Sequence, residues 1–142
     1  MKGKLTTPGD KWSIDGTVYN HSGQLYLLWS GWEGDINFQQ NIYICAMSNP
    51  WTTRGKRVKT SSPQLEWETH GDLNNPNDVP HVKVNEGPQI LAKNDKLFLI
   101  YSASGCWTEY FALGMLRANA NSDLTDIVSW KKFKQPVFKK SE

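Results

Sequence analysis

The sequence predicts an all-β chain built from two copies of one four-stranded unit, and three observations carry that prediction. Short apolar runs rich in Leu, Ile, Tyr and Trp alternate with Asn-, Gly-, Pro- and Asp-bearing turns. Seven Trp, five Tyr and five Phe make 12% of the chain, an excess that suits pleated β-structure and also sugar stacking. The stretch IDGTVYNHSGQLYLLWSG is echoed later as NEGPQILAKNDKLFLIYSA.

The elements follow in order. Ser13 to Asn20 is a short β-prone run, and His21-Ser22-Gly23 is a turn. Gln24 to Ser30 is a mostly buried strand, and Gly31 to Asp35 a loop. Asn41 to Met47 is the next strand, Ser48-Asn49-Pro50 a turn, and Arg57 to Thr60 a short outer strand. Residues 70–83 are rich in Asn, Pro and Asp, without periodicity, and read as a loop. Gly87 to Ala92 is a strand, Lys93-Asn94-Asp95 a turn, and Lys96 to Ser102 a buried strand. Tyr110 to Arg117 is read as strand because it is short and follows a Gly/Trp loop. Asn119 to Asp126 is polar, with a helical turn expected near Asp123; Val128 to Phe133 and Pro136 to Phe138 close the chain as β pieces.

In the repeat, Asp15-Gly16 falls on Glu86-Gly87, Leu25 to Ser30 falls on Leu97 to Ser102, and Ile44 to Met47 falls near Leu113 to Leu116. A unit of roughly 70 residues with four short strands is the pattern of a propeller blade. The expected division is a blade-like repeat over 12–69, a loop over 70–83 and a second repeat over 84–138. A small sandwich is the alternative. The repeat favours the propeller, because innermost strands carry equivalent positions to one central axis. Propellers close with about four to eight blades, so residues 1–142 read as a partial domain that needs further blades or self-association to bury its faces.

Composition excludes several functions. Net charge is +2 with pI near 8.5, and no Lys/Arg stripe forms, which argues against nucleic acid. No run is long and apolar enough for a membrane span, and MKGKLTTPGDKW lacks the apolar core of a signal peptide. The compartment stays open: cytoplasmic as the chain stands, secreted for a full-length parent. Cys45 and Cys106 make no framework and read as buried thiols rather than a disulfide. His21, His70 and His81 lack metal-ligand spacing and read as surface residues, so no metal site is expected.

Asp15 and Glu86 are the candidate catalytic residues. Each lies at the mouth of a strand beside apolar or glycine neighbours, where burial raises a carboxyl pKa. Paired acids suit glycoside hydrolysis, in which one must stay protonated to assist the leaving group. Asp15 alone reads equally well as a turn acid before glycine. Trp32 and Trp107, on loops after inner strands, are divided evenly between sugar stacking and blade packing. Gln40 and Asn85 suit sugar hydroxyls, or backbone near a strand start. Ser104 and Tyr110 are weaker candidates, and Asp35, Asp72 and Asp78 are loop acids with no assigned role.

The strings WSIDGTV, LYLLWSGWEGD, QQNIYI, AMSNPWT, WETHG, VNEGPQIL, LFLIYSASGCWT and ALGML, in this order over nearly the whole chain, resemble the middle of the five-bladed β-propeller glycoside hydrolases of family 43, of the α-L-arabinofuranosidase kind. The resemblance implies two four-stranded blades of that propeller and an inverting mechanism. It implies Glu86 as general acid and Asp15 as the Asp that tunes the acid's pKa and orients it. The family's general base lies upstream of the first residue here, and the axial His and Ca²⁺ of many relatives come from a later blade; no cofactor is expected in this chain. The implied substrate is an arabinose-containing oligo- or polysaccharide such as arabinan or arabinoxylan, with β-xylosidase as the nearest variant. A non-catalytic carbohydrate-binding fragment and an inactive truncated remnant are the alternatives.

Overall fold

The computed structural model describes residues 3–35, 39–71 and 82–141. Two antiparallel meanders form it. The first runs β1 (Ser13–His21), β2 (Gln24–Gly31), β3 (Gln39–Asn49) and β4 (Thr52–Ser61). A 3₁₀ turn, Glu66–Glu68, leaves it. The second runs β5 (Lys83–Lys93), β6 (Lys96–Ala103) and β7 (Ala112–Asn119); β7 is then flanked by two short strands, β8 (Lys131–Lys132) and β9 (Phe138–Lys139). The two units meet where β3 and β5 pair in parallel, Gln39 with Lys83 and Gln40 with Val84. These are two four-stranded blades of a propeller, the outermost place in the second being shared by β8 and β9.

Local chemistry explains the hairpins. Ser22 and Gly23 have φ of +51° and +86°, and Asn94 and Asp95 have +49° and +56°. Two left-handed residues in succession make the tight turn whose twist matches that of the strands. Alternation along β2 splits its side chains between two clusters. Leu28 joins Ile42, Ile44, Leu97, Leu99, Tyr101 and Leu116 in the core between the blades. Leu27 and Trp29 join Tyr43, Cys45 and Met47 on the other face of the first blade. Each fully buried Leu or Ile contributes about 1.5–3 kcal/mol.

Several boundaries differ from expectation. The outer strand β4 spans Thr52–Ser61 rather than starting at Arg57, because it pairs with β3 directly after the Asn49–Pro50 turn, absorbing irregularities along the way. β5 begins at Lys83, so Glu86 lies within a strand instead of at its mouth. The helical turn sits at Ile127–Ser129, not near Asp123: the Asp126 side chain caps it by accepting from Val128 N–H at 3.1 Å. Asp123 instead accepts from Thr125 N–H at 2.8 Å. Ladder register places Ile44–Met47 opposite β2 as Met115–Ala118 lie opposite β6, two residues beyond the sequence alignment. Most of the expected 70–83 loop, residues 72–81, lies outside the described residues.

Candidate active site

The site is built on two bulges. In the β1–β2 ladder Ile14 pairs with Ser30 and Thr17 with Leu28, so Asp15 and Gly16 together face Trp29. In the β5–β6 ladder Glu86 pairs with Ser102 and Gln89 with Ile100, so Gly87 and Pro88 face Tyr101. An extra residue bends a strand and re-aims its side chains. The left-handed bulge residues are Asp15 at φ +56° and Gly87 at +59°. Asp15 is therefore the backbone counterpart of Gly87, and Ile14 that of Glu86. The sequence alignment of Asp15 with Glu86 slips by one residue. Pro88, which has no N–H to give to a ladder, is accommodated at the bulge.

The acids nonetheless converge. The Gly87 N–H donates to Asp15 Oδ2 at 3.0 Å, and Thr17 Oγ1 donates to Gln89 Oε1 at 3.4 Å across the same seam. Asp15 is exposed, whereas Glu86 is half-buried. Burial, and secondarily the Asp15 carboxylate, push the Glu86 carboxyl above the ordinary glutamate value. Glu86 thus holds its proton more tightly than an ordinary glutamate does.

The other expected residues fall differently. Gln40 is half-buried at the blade junction, its Oε1 at 3.5 Å from the Ser30 hydroxyl. Asn85 is fully buried. Its Oδ1 accepts from Ser61 Oγ at 2.7 Å, and its Nδ2 donates to Glu68 Oε1 at 3.3 Å and Val84 O at 3.0 Å. The side chain lies wholly inside the protein and both amide hydrogens are used there, against the expectation of a sugar contact for Asn85. Trp32 stacks on Trp12 with centroids 4.8 Å apart, and its buried indole N–H has no partner among the described residues. Trp107 is 51% exposed, its ring lying against Gly105, where an added Cβ would come within 2.5 Å of it. Ser104 is buried, donating to Trp67 O at 2.9 Å, and Tyr110 stacks on His70.

Two further expectations change, for the cysteines and the histidines. Cys45 is buried, its thiol pushed up to about 11 by that burial, but Cys106 is exposed; both are free. His21 and His70 are partly buried and engaged, His21 with Ala120 O and His70 with Glu66; His81 lies outside the described residues. Asp35 pairs with Lys11 at 2.8 Å, while Asp72 and Asp78 fall outside the described residues. Among the described residues no group of three or more His, Cys, Asp or Glu is placed to hold a metal ion, and no helix is long and apolar enough to cross a membrane. Sequence reasoning missed Thr17, Ser30, Glu68, Gln89, Tyr101 and Lys132, which secure the seam; each reads singly as an ordinary strand or surface residue.

Fold and site define a class: a β-propeller whose neighbouring blades bring unlike carboxyl groups to one seam. The chain belongs to glycosyl hydrolases family 43, whose profile matches residues 1–142. It is 40% identical over 141 residues to an extracellular exo-α-(1→5)-L-arabinofuranosidase of Streptomyces avermitilis, covering 99% of this chain and 27% of that protein. It is 37% identical over 138 residues to α-L-arabinofuranosidase 43 of Humicola insolens, covering 96% of this chain and 26% of that protein. The crystal structure of α-L-arabinofuranosidase from Lactobacillus brevis superposes with a TM-score of 0.84 at 38% identity, over 97% of this chain and 39% of that one. The chain thus spans only part of the length of the relatives it matches.

Proposed function

We propose that the whole protein hydrolyses α-L-arabinofuranosyl linkages in an arabinose-containing oligo- or polysaccharide, with inversion. The carrying observation is the seam itself: Glu86, half-buried and raised in pKa, stands within β5, and the N–H of the next residue, Gly87, donates to Asp15. Glu86 donates its proton to the glycosidic oxygen as the bond breaks. Asp15 holds the Gly87 backbone and keeps the Glu86 proton in place by its charge. The reading takes a further carboxylate of the full protein as the base that activates water. Relatives named as arabinofuranosidases support the sugar, and the relative named extracellular supports secretion of the full protein. Trp32, Trp107 and Gln40 are proposed as contacts to the carbohydrate.

The test compares leaving groups in the full-length protein. Glu86→Ala should lower kcat/KM on an arabino-oligosaccharide by about 10²–10⁴-fold. The loss should be much smaller on an aryl arabinofuranoside whose phenol leaves without protonation. Equal losses on both substrates, or none, would overturn the assignment.

A further inference from the structure

A buried carboxylate that the proposed reaction does not use is bonded to Asn85, the residue before the general acid. Glu68, on the 3₁₀ turn that leaves the first blade, is fully buried. Its Oε2 accepts from Lys132 Nζ at 2.7 Å and from the N–H groups of Gln64 and Leu65, each at 2.9 Å. Its Oε1 accepts from Tyr101 OH at 2.7 Å and Asn85 Nδ2 at 3.3 Å. Five donors therefore meet this one carboxylate, three on Oε2 and two on Oε1, so its roughly four lone-pair sites are fully used. Asn85, Tyr101 and Lys132 all come from the second blade, so the carboxylate ties one blade to the other.

The ties converge on a single residue. Ser61, at the end of β4, donates to Asn85 Oδ1 at 2.7 Å, and Ser30, on β2, donates to Asn85 O at 2.8 Å. Three first-blade side chains thus grip Asn85, the residue before Glu86. Asp15 is carried by the first blade and Glu86 by the second, so whatever sets the blades' mutual position at Asn85 also sets the two acids' mutual position.

We propose that Glu68 is a positioning residue for Glu86: through Asn85 it holds the start of β5 against the first blade, and so fixes where the general acid stands relative to Asp15. The proposal rests on the reading of Glu86 as the acid. Among the described residues, Asp15 on β1 is the charged group that bears on Glu86, and Tyr101 on β6 and Lys132 on β8 are the titratable groups against Glu68. Ser30, Gln40 and Ser61, from β2, β3 and β4, are uncharged. Loosening the grip lets water reach Glu86 and lets Asp15 move away; both changes favour its ionised form.

The experiment uses the full-length protein and the variants Glu68→Gln, Ser61→Ala and Glu86→Gln. With the grip loosened, kcat on the arabino-oligosaccharide should fall about 10- to 100-fold in Glu68→Gln and less in Ser61→Ala. KM should change little, and the alkaline limb of the pH–rate profile should move to lower pH in both. A lower melting temperature with kcat and the alkaline limb unchanged would make Glu68 a packing residue only and overturn the proposal. If Glu68→Gln does not fold, Ser61→Ala decides by the same criteria. Glu86→Gln separates the two failures. If it retains full activity, the assignment of the acid is wrong. The carboxyl ¹³C titration of Glu86 in Ser61→Ala then still reads the grip: an unmoved midpoint contradicts it, and a lowered one supports it.

Discussion

The two blades share a meander and a bulge but spend the bulge differently. In the first, the left-handed position is taken by the acid itself, Asp15, on a strand whose residues are mostly exposed. In the second, a glycine takes it, and the acid stands one residue earlier, in a strand whose start is buried. Asp and Asn tolerate that backbone region better than other side chains, so an acid can occupy it. A glutamate there would be strained. The same backbone device therefore places one carboxylate in water and draws the other towards the interior. Residue type decides which acid can take the left-handed position, and position decides how far each is exposed.

A second contrast lies directly beneath. Opposite the bulges stand Trp29 in the first blade and Tyr101 in the second. The ladder partner of Trp29 is Tyr43, and the two rings stack with centroids 5.5 Å apart. The ladder partner of Tyr101 is Gly114. With no side chain there, the Tyr101 ring folds over the strand, and its hydroxyl reaches Glu68 at 2.7 Å. One blade fills the space with a second ring; the other leaves it free and uses it for a hydrogen bond.

Breaking this contrast should have the largest effect on stability. A Cβ at Gly114 would collide with the Tyr101 ring, so Gly114→Ala should cost about 3 kcal/mol in denaturant unfolding of the full protein. It should also displace Tyr101 from Glu68. Gly87→Ala should cost less. Its added Cβ meets only Ser102 Oγ, at 3.6 Å, so the cost is that of the left-handed backbone, about 1–2 kcal/mol. Asp15→Asn should keep near-wild-type stability, since Asn accepts the same conformation.

The smallest effect tests the electrostatic side. The folded protein holds the Glu86 proton more tightly than the unfolded chain, whose value is near 4.5. Stability from this group is therefore full below 4.5 and is lost as pH rises through the raised folded value. Glu86→Gln removes that loss. Its melting temperature should exceed that of the wild type by a margin that opens above about pH 4.5 and levels off at higher pH. A constant margin would mean that burial does not act through the proton.

Much of the fold was legible in the sequence because strand and turn chemistry are local. Alternating runs, Asn-Asp and Ser-Gly turns, and the echo of Leu25 to Ser30 in Leu97 to Ser102 give the meanders their order. What was not legible depends on register. The repeat suggested that Asp15 and Glu86 are equivalent, whereas the ladders make Gly87 the counterpart of Asp15. A bulge adds a residue without any composition signal of its own. Asn85 reads as suiting sugar hydroxyls or backbone near a strand start; only its burial and its bonds to Ser61 and Glu68 show that it faces inward. Glu68 was invisible for the converse reason. A glutamate in a polar run reads as solvated until Lys132, 64 residues later in the chain, is seen beside it.

The most direct test of the unlike-acid seam is the titration of the Glu86 carboxyl carbon by ¹³C NMR, in the full-length protein and its Asp15→Asn variant. The expected midpoint in the wild type lies above the ordinary glutamate value. In Asp15→Asn it should fall yet remain above ordinary, because burial is the larger cause. An ordinary midpoint in the wild type, or the same midpoint in both proteins, would contradict the division of roles between Asp15 and Glu86.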